Sequence, residues 1–282
     1  MAMAEFYQYF DRTLVASDDR MDDRAFAFGD GFFSTIGVRQ GQILFAQLHH
    51  IRITHGLTIF KLNLDIDEMM ICLSKLAHQM TEGIIKIIIT RPRQSMRGYG
   101  FLSVQLAQVL IKVMPSAIYQ GVSFIKGIPI QPTMPRQMVC LTHKLSHRPP
   151  HLAGMKLIGA TEQVFAHAEL LYRQSVDDGI LDGLVGNVHG EWICATMGNV
   201  FYRLGQNWYT PLVDKSGILG VMRCAVIQSG LLGDVKERLL TDADLDLVNG
   251  LITTNAVRGI TAMSMLNGRQ LTHLFGEFIH LS

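Results

Sequence analysis

The sequence predicts a two-domain α+β protein, and three observations support that prediction. The chain has 282 residues, which is enough for two domains of moderate size. Apolar patterns typical of strands and of helices both occur in each half. The segment MPSAIYQG, with Pro115 and a turn-like composition, interrupts them near the middle. We therefore predict an N-terminal domain over residues 1–114, a linker over 115–121 and a C-terminal domain over 122–282.

Composition and charge argue against several classes of protein. Hydrophobic residues make up 48% of the chain and charged residues 17%, which favours a sizeable core over disorder. A net charge of +1 gives no general reason to bind nucleic acid or an acidic membrane. The start MAMAEFYQYFDR lacks a signal pattern, and no apolar run approaches the ~20 residues of a membrane span. We expect a cytoplasmic protein with reduced cysteines, no metal site, no nucleic-acid partner and no membrane contact.

The N-terminal domain is predicted to combine strands with two helices. The segment FGDGFFSTIGVRQGQILF is typical of strand, turn and strand, with Gln40-Gly41 as the turn. HHIRITHGLTIF and DEMMICLSKLAHQM place apolar residues at helical spacing. GIIKIIIT is β-branched and predicts a buried strand, and FLSVQLAQVLIKVMP predicts one long strand before the linker.

The C-terminal domain is predicted to begin with two strands, GVSFIKGIPI and QMVCLTHKL. A helical pattern follows over residues 161–174. DGLVGNVHGEWICATMGNVFYRLGQNWYTP then alternates short strands with Gly and Asn turns, which predicts a meander. SGILGVMRCAVIQSGLL is typical of a loop that opens a helix, and LITTNAVRGITAMSML of strand, turn and strand.

Lys156 is the first candidate for chemistry. It lies in RPPHLAGMKLIGATEQ between Met155 and Leu157, and we expect it at a helix start, where the macrodipole does not favour a cation. A partly desolvated lysine has a lowered pKa and acts as a nucleophile or forms a Schiff base. On this segment alone, a lysine that snorkels to the surface is the simpler interpretation.

Three further segments offer anion-binding groups. In residues 216–223, Gly217 and Gly220 precede a predicted helix, whose free N–H groups suit a phosphate, although an ordinary cap explains them equally. Thr253-Thr254-Asn255 either adds phosphate donors or ends a strand. The three arginines of residues 91–100 suit carboxylates, or form a solvated loop. A lysine nucleophile, a phosphate site and arginines together predict a pyridoxal phosphate enzyme acting on an acidic amino compound.

The segment DRAFAFGDGFFSTI resembles the N-terminal signature of the fold-type IV pyridoxal phosphate enzymes, and the resemblance continues along almost the whole chain. This family includes branched-chain and D-amino acid aminotransferases and aminodeoxychorismate lyases. RGYG at 97–100 and RPPHLAGMK at 148–156 are similar to segments of the lyases. The resemblance implies a D-amino acid aminotransferase-like fold with the cofactor cleft between the domains. It also implies a homodimer in which loops of one subunit line the other's site.

The resemblance assigns roles to residues by position. Lys156 is implied to form the Schiff base with the cofactor and to move the substrate proton. The implied phosphate ligands are Arg52, the backbone N–H groups of Val221 and Met222, and Asn255 with Ala256 behind it. The implied substrate-side residues are Arg97 for a carboxylate, Tyr99 beside it, and Phe33, where transaminating D-amino acid enzymes carry a tyrosine.

Cys194 departs from the family pattern. The family has a glutamate five residues before the asparagine that here is Asn199, and its carboxylate keeps the pyridine nitrogen protonated. Cys194 takes that cofactor-facing position, and a neutral thiol does not stabilise a pyridinium as a carboxylate does. Glu191 lies three residues earlier, so a regular strand directs it to the opposite face.

Three functions are open at this point. The resemblance favours a lyase that converts 4-amino-4-deoxychorismate into 4-aminobenzoate and pyruvate for folate biosynthesis. The second is an aminotransferase of branched-chain or D-amino acids. Cys194 counts more strongly against it, because transamination depends on the ring as an acceptor of electrons. The third is a relative that binds the cofactor without catalytic activity.

Overall fold

The computed structural model describes residues 7–10, 13–16, 22–96, 98–132 and 134–272. The helices in these ranges are α1 (Arg24–Phe28), α2 (Ala46–Phe60), α3 (Ile66–Met80), α4 (Thr161–Val176), α5 (Val221–Ser229) and α6 (Asp242–Leu245). In the part of the chain that is described, no helix is both long enough and apolar enough to span a lipid bilayer.

The strands are short in most cases and fall into two main sheets. In chain order they are β1 (Tyr7–Phe10), β2 (Thr13–Ala16), β3 (Gly31–Arg39), β4 (Gln42–Ile43), β5 (Leu62–Asn63), β6 (Gly83–Thr90), β7 (Gln105–Leu106), β8 (Gln108–Pro115), β9 (Ser123–Ile125), β10 (Ile128–Ile130), β11 (Gln137–Leu145), β12 (Ile180–Asn187), β13 (Glu191–Ala195), β14 (Asn199–Leu204), β15 (Asn207–Thr210), β16 (Lys236–Glu237), β17 (Leu240–Thr241), β18 (Val248–Asn255), β19 (Gly259–Met263), β20 (Met265–Leu266) and β21 (Arg269–Gln270).

The first main sheet has the antiparallel order β4-β3-β6-β8 and packs against α2 and α3. Helix α3 buries Met69, Leu73 and Ala77, which recur every four residues and form one apolar stripe. Its first turn is fixed by Asp65, whose side chain accepts a hydrogen bond from the backbone N–H of Glu68. The sheet and the two helices thus enclose one apolar core.

Helix α2 approaches β3 closely because Gly56 has no side chain. A Cβ atom at this position would lie 2.4 Å from ring atoms of Phe32, which is closer than packed carbon atoms can come. The glycine therefore lets the helix backbone rest on the Phe32 ring. This contact sets the height of α2 above the sheet, and with it the position of Arg52, one turn earlier.

The second main sheet has thirteen strands, with the main order β21-β20-β11-β12-β13-β14-β18-β19-β10-β9. Its centre, from β12 to β19, is antiparallel, which agrees with the predicted meander. Helix α4 packs on β11 and β12, and α5 packs on β18 and β10. The turn between β13 and β14 and the end of β18 come side by side through the pairing of Asn199 with Thr254.

Most predicted elements are confirmed, and the exceptions have local causes. The turn at Gln40-Gly41 joins β3 and β4 as predicted. The long strand predicted before the linker begins only at residue 108, because residues 105–106 pair instead with β5. The predicted strand GVSFIKGIPI is a hairpin of β9 and β10, since Lys126 and Gly127 both adopt positive φ angles.

Candidate active site

A cavity of about 400 Å³ lies where elements of the two main sheets approach each other. The lining comes from β3, β6, α2, residues between Arg148 and the start of α4, the end of β13 with the β13–β14 turn, the loop before α5 with the start of that helix, and the end of β18 with the turn that follows it. Seven of the ten predicted site residues line this cavity, namely Phe33, Arg52, Lys156, Cys194, Val221, Asn255 and Ala256.

Backbone hydrogen bonds on two sides fix the Lys156 segment. The N–H of Phe33 donates to the Lys156 carbonyl at 2.9 Å, and Ile158 donates to Gly31 at 3.2 Å. On the other side, the N–H of Leu219 donates to the Gly154 carbonyl at 2.8 Å. The expectation that Lys156 begins a helix is wrong, because these contacts hold it in an extended segment and α4 begins only at Thr161.

The Lys156 ammonium group lies in an apolar and cationic setting. Its Nζ is 4.6 Å from the centre of the Phe33 ring, and the Nζ of Lys86 lies 4.9 Å from the same ring centre. Burial, with smaller effects from the positive charges of Arg52 and Lys86, lowers the pKa of Lys156 to about 8. A lysine with this pKa has a substantial neutral fraction near neutral pH, which a nucleophile needs.

The N-terminus of α5 presents free backbone donors to the cavity. Gly220 occupies the N-cap position and offers no side-chain cap, and the first helical hydrogen bond runs from Cys224 N–H to Gly220. The N–H groups of Val221 and Met222 therefore have no partner within the helix. Val221 lines the cavity, whereas the Met222 side chain points into the core and leaves only its backbone for binding. Such a helix end suits an anion.

Arg52 extends from α2 toward the loop before α5. Its Nη2 donates to the Leu219 carbonyl at 2.6 Å, which holds the guanidinium beside the start of that helix. Burial lowers the pKa of Arg52 to about 10, so the group still carries its charge at neutral pH. Burial and the charge of Arg52 also lower the pKa of His49, one turn earlier on α2, to about 3. His49 is therefore neutral and adds no charge.

The end of β18 brings polar atoms to the same place. Thr254 is 2% exposed, it lines the cavity, and its Oγ1 has no hydrogen-bond partner among the described residues. A buried hydroxyl without a partner costs free energy, unless a bound group satisfies it. The Asn255 side chain accepts hydrogen bonds from the N–H groups of Val257 and Arg258, so it shapes the turn that carries Ala256.

Cys194 lines the cavity from β13 and is almost fully buried. Burial, with a smaller effect from Asp182, raises the pKa of this thiol to about 12, so it is neutral. Glu191 does not line the cavity, and its Oε2 accepts a hydrogen bond from Asn187 at 2.7 Å. Regular strand alternation does not explain its direction, because β13 shifts register against β12 between Trp192 and Cys194.

The predicted substrate-side residue Tyr99 does not line the cavity. Tyr99 is 83% exposed, and its ring centre lies 5.1 Å from that of Phe28 with the two rings tilted. Its carbonyl accepts a hydrogen bond from Arg24 at 2.8 Å, which ties the loop to α1 rather than to Lys156. Arg97 lies outside the described residues.

Several residues that line the cavity were not predicted from the sequence as site residues, among them Thr35, Arg148, Gln163 and Arg258. Strand alternation was a usable signal for Thr35, since it follows Phe33 by two residues and shares its face. Arg148 lies within the RPPHLAGMK segment, and its Nη1 donates to the Met155 carbonyl at 2.8 Å. No pattern marked Gln163 or Arg258, because their place depends on tertiary contacts.

A family model described as amino-transferase class IV matches residues 31–265 of this chain. The chain belongs to the class IV aminotransferase family. The aminodeoxychorismate lyase of Vibrio harveyi is a curated relative of this class IV chain. It is 31% identical over 253 residues, which cover 86% of this chain and 87% of the relative.

Solved structures show the same fold as this class IV aminotransferase chain. The 4-amino-4-deoxychorismate lyase of Pseudomonas aeruginosa matches with a TM-score of 0.77 and 22% identity, over 99% of this chain and 97% of that one. The branched-chain amino acid aminotransferase of Escherichia coli gives 0.72 and 18%, over 99% and 93%. A hypothetical aminotransferase from Mycobacterium tuberculosis, solved in a PLP-bound form, gives 0.68 and 19%, over 95% of each chain. The predicted fold-type IV fold is confirmed.

Proposed function

We propose that this chain is a pyridoxal phosphate-dependent lyase that converts 4-amino-4-deoxychorismate into 4-aminobenzoate and pyruvate. The observation that carries the proposal is the position of Lys156, whose amine lines the same cavity as Arg52, Thr254 and the uncapped start of α5. The 31% identity to a protein named as that lyase supports this substrate over others.

The cavity residues fit the phosphate and the aldehyde of pyridoxal phosphate. The Thr254 hydroxyl without a partner, the free N–H of Val221 and the Arg52 guanidinium together form a phosphate site. Lys156, with its lowered pKa, suits bonding to the aldehyde. When bound, the cofactor supplies an aldehyde for the substrate amine and a conjugated ring that accepts electrons. We also propose that the cleft between the two predicted domains holds it, because residues from both sides of the linker line the cavity.

Different residues of the chain have different roles in the proposed reaction. Nζ of Lys156 would hold the cofactor aldehyde and, once free, would accept the proton from the amine-bearing carbon of the substrate. Phe33 covers this amine with its ring and limits the access of water. Arg148 and Arg258 supply positive charge at the cavity wall for the carboxylates of the substrate, and Arg97 is proposed to add another.

The overall chemistry favours release of the products. Loss of the proton from the amine-bearing carbon is followed by cleavage of the enol ether carbon–oxygen bond. The three-carbon fragment leaves as pyruvate after it takes up a proton. The remaining ring becomes aromatic, which provides much of the driving force. The proposed product, 4-aminobenzoate, is consumed in folate biosynthesis.

A direct assay separates this proposal from the two alternatives. The purified protein is loaded with pyridoxal phosphate and supplied with aminodeoxychorismate, and 4-aminobenzoate and pyruvate are measured. The same preparation is tested for amino-group transfer from branched-chain and D-amino acids to a 2-oxo acid. Formation of the two products in equal amounts supports the lyase. Amino transfer alone would establish an aminotransferase, and neither activity in a loaded protein would establish a non-catalytic relative.

A homodimer is part of the proposal, with a cytoplasmic location. Strand β8 is an edge strand that pairs with β6 alone within the described part of the chain. It exposes Leu110, Ile111 and Val113, each by more than a third. An exposed apolar edge of this kind is typical of a surface covered by another chain. Sedimentation of wild type and Ile111→Glu tests this. A monomeric wild type would contradict the dimer.

A further inference from the structure

The ionisable side chains that line the cavity are strongly biased in charge. Arg52, Arg148, Lys156 and Arg258 are basic, and Cys194 is a thiol. Among the described residues, no aspartate or glutamate side chain lines the cavity. The described residues thus place no carboxylate on any wall of the cavity. The bias in charge therefore applies wherever the ring of a bound cofactor lies.

Two carboxylates on β12 and β13 are committed to other contacts. Glu191 accepts a hydrogen bond from the side chain of Asn187, the last residue of β12. Asp182 is close enough to Cys194 to affect its pKa. Its Oδ1, however, already accepts hydrogen bonds from Thr196 Oγ1 at 2.7 Å and from the Gly183 N–H at 2.8 Å. Neither carboxylate is a lining group of the cavity.

Cys194 and Arg148 are electrostatic neighbours at this wall. The guanidinium of Arg148 donates to the Met155 carbonyl and has no ion-pair partner in the described ranges. The thiol is buried and neutral, because loss of solvent outweighs the attraction of its anion to Arg148 and Lys156. Asp182 affects the thiol more strongly than Arg148 does, but it does not line the cavity. The groups that line this wall are therefore a neutral sulfur and a positive charge.

We propose that this cavity holds the pyridine nitrogen of its cofactor unprotonated, and that Cys194 with Arg148 thereby confines the enzyme to elimination and suppresses amino transfer. This inference rests on the proposed function. A pyridinium needs a nearby anion to remain charged, and nearby cations disfavour it. A neutral ring is a weaker acceptor of the electron pair that proton removal leaves behind.

The two reactions differ in how long the ring must keep that electron pair. In elimination, the proton leaves the amine-bearing carbon and the electron pair moves on to expel the enol ether oxygen, with no net oxidation. In amino transfer, the amine-bearing carbon is oxidised to a carbonyl carbon and the cofactor is reduced to an amine. The ring must then retain the pair until a second proton arrives. A neutral ring therefore penalises amino transfer more than elimination.

The test uses pyridoxal phosphate labelled with ¹⁵N in the ring, bound to the whole protein. We expect the nitrogen resonance of a neutral pyridine in wild type from about pH 6 to about pH 9. Cys194→Ser, the matched control, should give the same resonance. Cys194→Glu should move it toward that of a pyridinium. A protonated nitrogen in wild type would overturn the inference, and this outcome needs no variant to fold.

A second readout is the partition between the two reactions. With aminodeoxychorismate as substrate, Cys194→Glu should raise the yield of pyridoxamine phosphate relative to pyruvate about tenfold. A tenfold change corresponds to a shift of roughly 1.4 kcal/mol in the difference between the barriers to amino transfer and elimination. Cys194→Ser should leave this relative yield unchanged. An equal partition in all three proteins would contradict the inference. Failure to attach the cofactor to Lys156 would instead remove the proposed function, so the two failures are distinguishable.

Discussion

Phe33 contacts Lys156 at both ends of the lysine. The backbone N–H of Phe33 donates to the Lys156 carbonyl at 2.9 Å, and the Phe33 ring centre lies 4.6 Å from the Lys156 Nζ. Strand β3 therefore fixes the backbone of the lysine and also covers its amine. The amine is partly removed from water in a defined position, which connects the sheet register to the chemistry proposed for this site.

Capture of pyridoxal phosphate should depend on pH through Lys156. Only the neutral amine attacks an aldehyde, and the pKa of Lys156 is about 8. The rate of capture should rise about tenfold per pH unit below that value and level off above it. Rapid mixing with absorbance detection measures the rate. A midpoint near the ordinary lysine pKa of about 10.4 would contradict the proposed environment of this amine.

Lys86→Met should raise that midpoint. The positive charge of Lys86 lowers the pKa of Lys156, and methionine keeps much of the side-chain length without the charge. Lys112→Met is a matched control, because Lys112 pairs with Lys86 on the next strand, β8. We expect a shift to higher pH for Lys86→Met and none for Lys112→Met. Equal shifts in both variants would indicate a general charge effect instead.

Lys156→Met should stabilise the cofactor-free protein. The folded state lowers the pKa of Lys156, so below about pH 8 the charged amine is less favourable in the folded chain than in the unfolded chain. Removing it should add on the order of 2–3 kcal/mol to the free energy of unfolding below that pH. The gain should shrink as the pH rises toward the unfolded pKa. Denaturant unfolding at several pH values measures this, and a loss of stability near neutral pH would be inconsistent with it.

Thr254→Val should separate phosphate binding from stability. Valine matches threonine in shape and removes the buried hydroxyl that has no partner, so the cofactor-free protein should gain about 1 kcal/mol. Affinity for pyridoxal phosphate should fall about tenfold, while affinity for pyridoxal should not change. Thr253→Val is the control, since Thr253 lies on the other face of β18. Equal losses for both ligands would exclude a phosphate role for Thr254.

Gly56→Ala should destabilise the protein although it lies within a helix. In an open helix this change stabilises by about 1 kcal/mol. Here the added Cβ would lie 2.4 Å from the Phe32 ring, and such overpacking costs about 1–3 kcal/mol. The melting temperature should fall, and cofactor affinity should weaken because α2 carries Arg52. An unchanged or higher melting temperature would show that the ring can move aside.

Local patterns predicted the elements that depend on local physics. The Gln40-Gly41 turn follows from a glycine that tolerates positive φ, and α3 follows from an apolar stripe with an Asp65 cap. The break before β8 was not predictable, because residues 105–106 leave that strand to pair with β5, a contact between distant parts of the chain.

The site also combines residues that the sequence predicted with residues that depend on tertiary contacts. Lys156, Arg52 and the start of α5 were predicted from the resemblance, and the structure places them around one cavity. Gln163 and Arg258 join the cavity only through tertiary contacts, and no local pattern marks them. The helical position expected for Lys156 was wrong for a related reason. The conformation of this segment is set by hydrogen bonds of Gly154, Lys156 and Ile158 to Leu219, Phe33 and Gly31 of other segments.

The most direct measurement is to locate the covalent attachment of the cofactor. The protein is mixed with pyridoxal phosphate, its absorption spectrum is recorded, and borohydride then fixes the carbon–nitrogen bond for peptide mapping by mass spectrometry. We predict a yellow absorption band and a phosphopyridoxyl adduct on Lys156, with no adduct at that site in Lys156→Met. The absence of the band, or an adduct confined to other lysines, would contradict the central claim that this cavity is a pyridoxal phosphate site.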